Sequence, residues 1–332
     1  ENFAPAPDQR VVGGQPVVAT NPPLPLDQGG RVIMTNTGPI PVTAPIPGSQ
    51  NGNPGGFLTA RTPTGVNLEQ LFIEVPYTIK LGDGKQSFGI APVFAVQSFE
   101  AKGLQPFQAA SVSPNDVTNK GKDWSYGAGL HVGWYGEVTD QLALGLSYRS
   151  KVWMTEFDEY KGLFANGGEF DIPAMFNLGV AWKARPDVTV AFDYQHIFYD
   201  EIAAIANSND IDLTPCFGAA QKPSYCLGAD SGLGFGWKSL DVFKLGVRWD
   251  QSDKWKFFGG VSYNTELLKT NQQALFNVLT PATVRWHLTL GTTYVHSASD
   301  EFNLAFSYMP KETVDGTSPS ITQTQTGSIY ME

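Results

Sequence analysis

The chain has 332 residues with a formal net charge of -10, and 16% of its residues are charged while 12% are aromatic and 35 are glycine. An acidic chain is a poor match for nucleic acid, which selects basic surfaces. No stretch approaches the roughly 20 consecutive apolar residues of a membrane-spanning helix, but sparse charge with abundant Gly and aromatics fits a chain that meets lipid through alternate residues of strands.

Residues 1–62 hold 11 of the 23 prolines and 9 glycines, a density that disfavours helix and sheet ladders alike. They are expected to form a Pro/Gly-rich extended loop or leader. Residues 63–310 follow as the strand-bearing unit, and 311–332 as a loop with the start of a last, incomplete strand. No basic and apolar leader follows Glu1.

From Val66 onward, ten segments alternate with period two, the spacing at which successive strand side chains point to opposite faces. Leu71, Ile73, Val75 and Tyr77 oppose Phe72, Glu74 and Thr78. Later segments repeat the pattern near 87–97, 124–134, 141–154, 176–183, 188–198, 243–249, 256–264, 285–294 and 302–308. The fourth is the clearest. Leu142, Leu144, Leu146, Tyr148, Val152 and Met154 are expected on one face, with Ala143, Gly145, Ser147, Arg149, Lys151 and Trp153 on the other. Apolar faces bounded by Trp or Tyr, opposite small and polar faces, predict an all-β fold, a transmembrane antiparallel β-barrel. Trp124, Trp182, Trp249 and Trp286 are expected in two aromatic belts.

The connections alternate in length. Short ones lie near 82–85, 138–140, 184–187, 251–254 and 298–300, and long ones near 100–122, 155–172, 200–239, 265–283 and 311–326. In bacterial outer-membrane barrels the short turns are periplasmic and the long loops extracellular. Cys216 and Cys226 are the two cysteines, ten residues apart in the longest loop, and a disulfide is expected there. Neither shows the spacing of a metal site.

Several motifs carry a family likeness. Thr64-Gly65-Val66-Asn67-Leu68-Glu69-Gln70-Leu71, Ser147-Tyr148-Arg149-Ser150-Lys151, Tyr160-Lys161-Gly162-Leu163-Phe164-Ala165 and Gly234-Phe235-Gly236-Trp237-Lys238 resemble the FadL family of outer-membrane transporters for long-chain fatty acids and other hydrophobic compounds. The resemblance implies a 14-stranded barrel with an N-terminal hatch. Its fourth through thirteenth strands would correspond to the ten seen here, so the hatch, the lateral exit in the third strand and the last strand would lie outside this chain. It also implies passive uptake of a hydrophobic small molecule across a membrane of lipid and lipopolysaccharide, with no cofactor, no enzymatic step and no nucleic-acid partner. Uptake of aromatic hydrocarbons is the nearest alternative. A general polar porin and a barrel-borne lipid hydrolase stand outside it.

Alternation directs Glu74, His131, Arg149, Lys151, Asp193, Lys244, Arg248 and Arg285 to the lumen, because Arg or Lys on the lipid face would cost about 2–4 kcal/mol at the midplane. Two readings stand: an internal ion-pair network, or cations that hold a substrate carboxylate while Phe72 and Phe258 meet its tail. Arg149 is the first candidate, followed by Lys151, Lys244 and Arg248. The long loops carry Phe99, Leu104, Phe107, Tyr160, Leu163 and Phe164, which either pack together over the mouth or form a groove that captures ligand. His196 and His296 stand near acids and serines without the makings of a triad. Gly232-Leu233-Gly234-Phe235-Gly236 lacks the strand-to-helix setting of a nucleotide loop.

Overall fold

The computed structural model describes residues 65–82, 84–211, 213–218, 222–268, 277, 279–280, 282–319 and 326–331. It also describes the backbone of four short strands, β1 (Gln9–Val12), β2 (Gln15–Val18), β3 (Val32–Thr35) and β4 (Gly38–Pro41). These pair as two separate ribbons, β1 with β2 and β3 with β4. Otherwise the stretch expected as a loop or leader lies outside the described residues.

The main sheet contains β5 (Gly65–Glu74), β6 (Tyr77–Leu81), β7 (Gln86–Lys102), β8 (Asp123–Glu137), β9 (Leu142–Arg149), β10 (Trp153–Met154), β11 (Met175–Arg185), β12 (Val188–Ile197), β13 (Leu240–Asp250), β14 (Trp255–Asn264), β15 (Trp286–Val295) and β16 (Glu301–Tyr308). The order β16-β15-β14-β13-β12-β11-β9-β8-β7-β5 follows the chain, and β6 and β10 add to β7 and β8. Each pairing is antiparallel. All ten expected strands are present, as a meander. Among the described residues no ladder joins β16 to β5, so the path is open there. β17 (Val314–Pro319) and β18 (Thr326–Met331) pair only with each other, so the expected opening of a last wall strand is the second arm of a hairpin.

Two strands are interrupted, for different reasons. β5 and β6 share one register against β7, with Glu74 opposite Val93 and Tyr77 opposite Ile90. Pro76 breaks the ladder between them because proline has no N–H to donate, and the position is on the last strand of the path. The second interruption corrects the sequence reading. After Arg149 the chain leaves the ladder. The Ser150 hydroxyl accepts the Leu130 N–H at 3.0 Å, and Val152 bridges to Ile172 of the following loop. The alternation therefore changes phase. Val152 is fully buried on the inner side against Val93 and Ala95, and Met154 packs there too. Trp153 pairs with Ala128 and turns outward, 59% exposed. These three residues face opposite to the expected directions, because the period-two rule holds only while the strand remains regular.

Elsewhere the faces follow the pattern. Leu71, Phe94, Tyr126, Leu146, Leu245, Leu290 and Phe306 are exposed on the outer face. Trp124 and Trp286 stand at the long-loop ends of β8 and β15, Trp182 and Trp249 at the short-turn ends of β11 and β13, and all four are exposed. The short turns gather at one end. Gly82 and Gly84 turn the chain between β6 and β7 with φ of +59° and +85°, a region glycine enters without Cβ strain.

The main apolar core is in the long loops, not in the wall. Phe99, Leu104, Phe107, Phe157, Tyr160, Phe164, Ile202, Leu227 and Leu233 form one buried cluster. Burying each such side chain is worth roughly 1.5–3 kcal/mol, enough to hold connections that have no strand of their own.

Candidate functional site

The loop cluster is built around Phe99, which continues β7 into the first long connection. Its ring meets Tyr160 at 4.9 Å edge-on and Phe164 at 4.7 Å, and Phe164 meets Phe170 at 4.8 Å. Close approach of the loops depends on Gly162, where a Cβ would fall 2.0 Å from the Ser113 carbonyl oxygen. Cys216 and Cys226 are disulfide-bonded, fully buried in the same cluster, with Cα atoms 5.7 Å apart. The Lys222 ammonium donates to the Cys216 carbonyl at 2.7 Å and to that of Ala109, and burial pushes its pKa down.

Inside this cluster lies an apolar cavity of about 80 Å³. Phe99, Leu104, Phe107, Leu163 and Phe164 line it with Val66, Leu68 and Phe235. The loop residues pack together, the first of the two readings from sequence, and a small apolar space remains among them. Tyr160 stands outside that lining. Its hydroxyl accepts the Ala101 N–H at 3.1 Å and donates to the Gly121 carbonyl at 2.6 Å, and burial raises its pKa. Tyr160 is thus a structural tie. Phe170 and Phe235 also line the cavity and went unremarked as candidates, because a loop aromatic carries no periodicity to reveal its direction.

The inner face of β5 leads from this cavity into the lumen. Val66 and Leu68 line the cavity, and Gln70 donates to Gln97 at 3.0 Å. Phe72 comes next, its ring 4.9 Å beneath the Arg149 guanidinium carbon. Glu74 follows, 3.1 Å from His131. Arg149 Nε is buried and has no hydrogen-bond partner among the described residues. Tyr199 is close by: burial pushes its phenol up, and the Arg149 charge opposes that shift.

Lys151, two residues on, is differently placed. Its ammonium is 2.7 Å from Asp171, whose other carboxyl oxygen accepts the Met154 N–H at 2.7 Å. Asp171 was not singled out from sequence, since a lone loop aspartate usually reads as solvated. Lys244 and Arg248 are not brought to Arg149. Arg149 is level with Met175, Ile197 and Leu240 across three ladders. Lys244 is four residues further along β13 and Arg248 eight, so they stand roughly 13 and 26 Å lower along the strand. Phe258 is the cross-strand neighbour of Arg248. Arg285 is held at the rim, paired with Glu312 at 3.6 Å and stacked on Tyr263. Below Arg149 a wide cavity of about 500 Å³, more apolar than polar in its lining, takes in Glu74, His131, Ser147, Asn177 and Asp193.

The wall is thus a meander of outward-apolar strands whose inner face carries the charged side chains, with apolar loops packed at its long-loop end. The family described as outer membrane protein transport protein (OMPP1/FadL/TodX) matches residues 84–331. The chain belongs to that family. It is an outer-membrane protein, and the exposed Leu, Phe and Trp of its outer face belong to that setting. Among solved structures, this FadL-family chain is similar to the Pseudomonas putida toluene transporter TodX, with a TM-score of 0.54 and 16% identity over 81% of this chain and 69% of that one. It is similar to a Pseudomonas aeruginosa FadL homologue with a TM-score of 0.51 and 12% identity over 76% of this chain and 62% of that one. The Ralstonia pickettii toluene transporter TbuX matches at a TM-score of 0.47 and 17% identity, over 73% of this chain and 62% of that one. At such identities the likeness is one of fold. No curated protein matches the chain.

Proposed function

We propose that this FadL-family chain supplies wall and mouth to a passive outer-membrane channel for hydrophobic small molecules, and that its ligand is an amphipathic acid of the long-chain fatty acid type. The observation that carries the reading is Arg149. It is a lumen arginine over the Phe72 ring, with a buried Nε and no hydrogen-bond partner among the described residues. A buried donor without an acceptor is costly, and a carboxylate that enters relieves the cost while the tail lies along Phe72. The loop cavity lined by Phe99, Leu104, Phe107, Leu163 and Phe164 is the point of first capture. Outer-membrane lipid surrounds the wall, and lipopolysaccharide meets its long-loop end. No covalent step and no cofactor enter the mechanism.

Arg149→Ala in the full-length protein tests this. A desolvated charged hydrogen bond nets about 1.5–3 kcal/mol, so oleate binding should weaken roughly ten- to a hundredfold, with toluene binding unchanged. Equal loss for both ligands would make Arg149 structural. No loss for either would favour the second reading, uptake of neutral aromatic hydrocarbons. That reading draws on the largely apolar, aromatic-lined cavity and on the toluene transport named for TodX. The packed loop core weighs against an open polar porin.

A further inference from the structure

The outer face of the wall carries a polar cluster that has no part in moving a ligand through the lumen. At the long-loop end, Tyr194, Phe243, Tyr263 and Trp286 are successive cross-strand neighbours on β12 to β15. Tyr194 and Phe243 have ring centroids 5.3 Å apart, and Tyr263 and Trp286 4.6 Å. This is an outward aromatic belt of the kind that marks the edge of the hydrocarbon. Two residues nearer the long loops the same face changes character. Tyr148 and Phe176 begin the next row as aromatics, but the row continues with His196 and Asp241. Both follow the outward parity of Phe192 and Phe243, which are exposed.

The cluster is ordered and only partly self-satisfied. The Tyr194 hydroxyl donates to Asp241 Oδ1 at 2.6 Å, and His196 Nδ1 meets the same oxygen at 2.7 Å. An ionised carboxylate only accepts, so His196 Nδ1 carries the proton and Nε2 of the neutral ring is an acceptor. The Asp241 N–H donates to the Thr265 hydroxyl at 3.1 Å, which fixes the backbone of the site on β14. Phe198 stands edge-on to the His196 ring with centroids 4.4 Å apart. Asp241 Oδ2 and His196 Nε2 have no hydrogen-bond partner among the described residues, and the two side chains are 34% and 24% exposed. Two residues before Asp241, the Ser239 hydroxyl donates to Asp200. Neither carboxylate has a Lys or Arg within ion-pair distance among the described residues. Two carboxylates without such a cation repel phosphate and favour groups that donate hydrogen bonds.

We propose that Tyr194, His196 and Asp241 form a binding site on the outer wall for the sugar head of an outer-leaflet glycolipid. Hydroxyl and amide groups of the sugar donate to Asp241 Oδ2 and His196 Nε2, and the acyl chains run down over the belt of Phe243 and Tyr263. An ionisable pair is tolerated at this level because the penalty for charge on the lipid face falls away toward the interface. β12 and β13 lie in the middle of the sheet path, away from β5 and β16 where it is open, so the site depends neither on what adjoins those edges nor on what fills the lumen. It holds whichever ligand the channel carries.

The test uses full-length protein in a detergent without a sugar head, with lipid A, dephosphorylated lipid A and phosphatidylglycerol as probes. Bound lipid is counted by native mass spectrometry. The His196→Leu/Asp241→Leu variant removes both acceptors and gives the row side chains as apolar as its neighbours. Its retention of lipid A and of dephosphorylated lipid A should fall about five- to tenfold, the loss of two hydrogen bonds, with phosphatidylglycerol retention and oleate binding unchanged. His196→Phe keeps a ring in the row and leaves Asp241 tied to Tyr194. It should lower retention of both glycolipids about two- to threefold. Unchanged lipid A retention in either variant would overturn the site. So would an equal fall for phosphatidylglycerol, which would show a general change in the lipid-facing wall. Failure of the unaltered protein to retain dephosphorylated lipid A would show that phosphate, not sugar, is held, and would overturn the proposal as well.

Discussion

Arg149 and Lys151 carry the same charge two residues apart and have different roles because of what surrounds them. Lys151 meets Asp171 at 2.7 Å, with the Asp171 side chain 5% exposed, and so ties the following loop to the wall. Arg149 makes no ion-pair contact among the described residues: Glu74 acts on it only through space, and its Nε is buried without a hydrogen-bond partner there. Asp116, in the first long loop, shows how a single carboxylate couples loop order to pH. The Ser113 hydroxyl donates to it at 2.6 Å, and Lys161 and Lys120 stand nearby, so its pKa is held below the ordinary aspartate value. A carboxyl whose folded pKa is lowered contributes stability above its unfolded pKa of about 3.9 and loses that contribution as pH falls through the folded value. Protease nicking of the 103–122 loop should therefore rise on acidification from pH 6 to pH 3, and Asp116→Asn should raise it already at pH 6. Nicking that is flat with pH in the unaltered protein would remove Asp116 from this role.

At the scale of elements, the interruption between β9 and β10 matters most. It turns Met154 inward and Trp153 outward, and it lets the 155–174 loop dock on β7 and β8 through Val152, Ile172 and Gln97. The docking needs glycine on β8. A Cβ on Gly127 would fall 2.2 Å from Met154 Sδ and 2.4 Å from the Trp153 carbonyl oxygen. The backbone oxygen cannot move aside without breaking β10. Gly127→Val should therefore destabilise the protein by about 1–3 kcal/mol through overpacking. The loss should appear as a lower urea midpoint for folding into detergent micelles, whereas Gly145→Val, at a position with nothing within 4 Å, should leave the midpoint in place. Matching midpoints for the two variants would contradict the docking argument.

For the whole molecule, the defining property is a sheet with two different solvents on its faces. Leu290, in the middle of β15, is 66% exposed on the outer face, and its neighbour Thr289 faces inward beside Gly260. Leu290→Arg should cost about 2–4 kcal/mol of folding free energy in lipid vesicles, the depth-dependent cost of a cation at the midplane, and Thr289→Arg far less. Equal costs would mean that β15 has water on both faces and would remove this part of the wall from the bilayer. The same two-solvent logic explains why the apolar core lies in the loops: the outer face already has lipid to cover it, and only the loops must bury apolar groups against one another.

Ten strands, their order and the face of nearly every strand residue were legible in the sequence, because alternation is a property of the local backbone and the bilayer penalises a charge on the wrong face. The lumen direction of Arg149, Lys244, Arg248 and Phe258 follows from that alone. Only the tertiary structure decided which cation is paired. The Lys151–Asp171 contact depends on where a loop of some 20 residues folds back, and no period encodes that return. It also decided the reversed faces of Val152, Trp153 and Met154, where Ser150 takes the place of a ladder bond. The cavity belongs to the same class. Val66, Phe107, Phe164 and Phe235 lie far apart in the chain and meet only where three long loops converge over the mouth, so their proximity is a product of packing between loops rather than of any local preference.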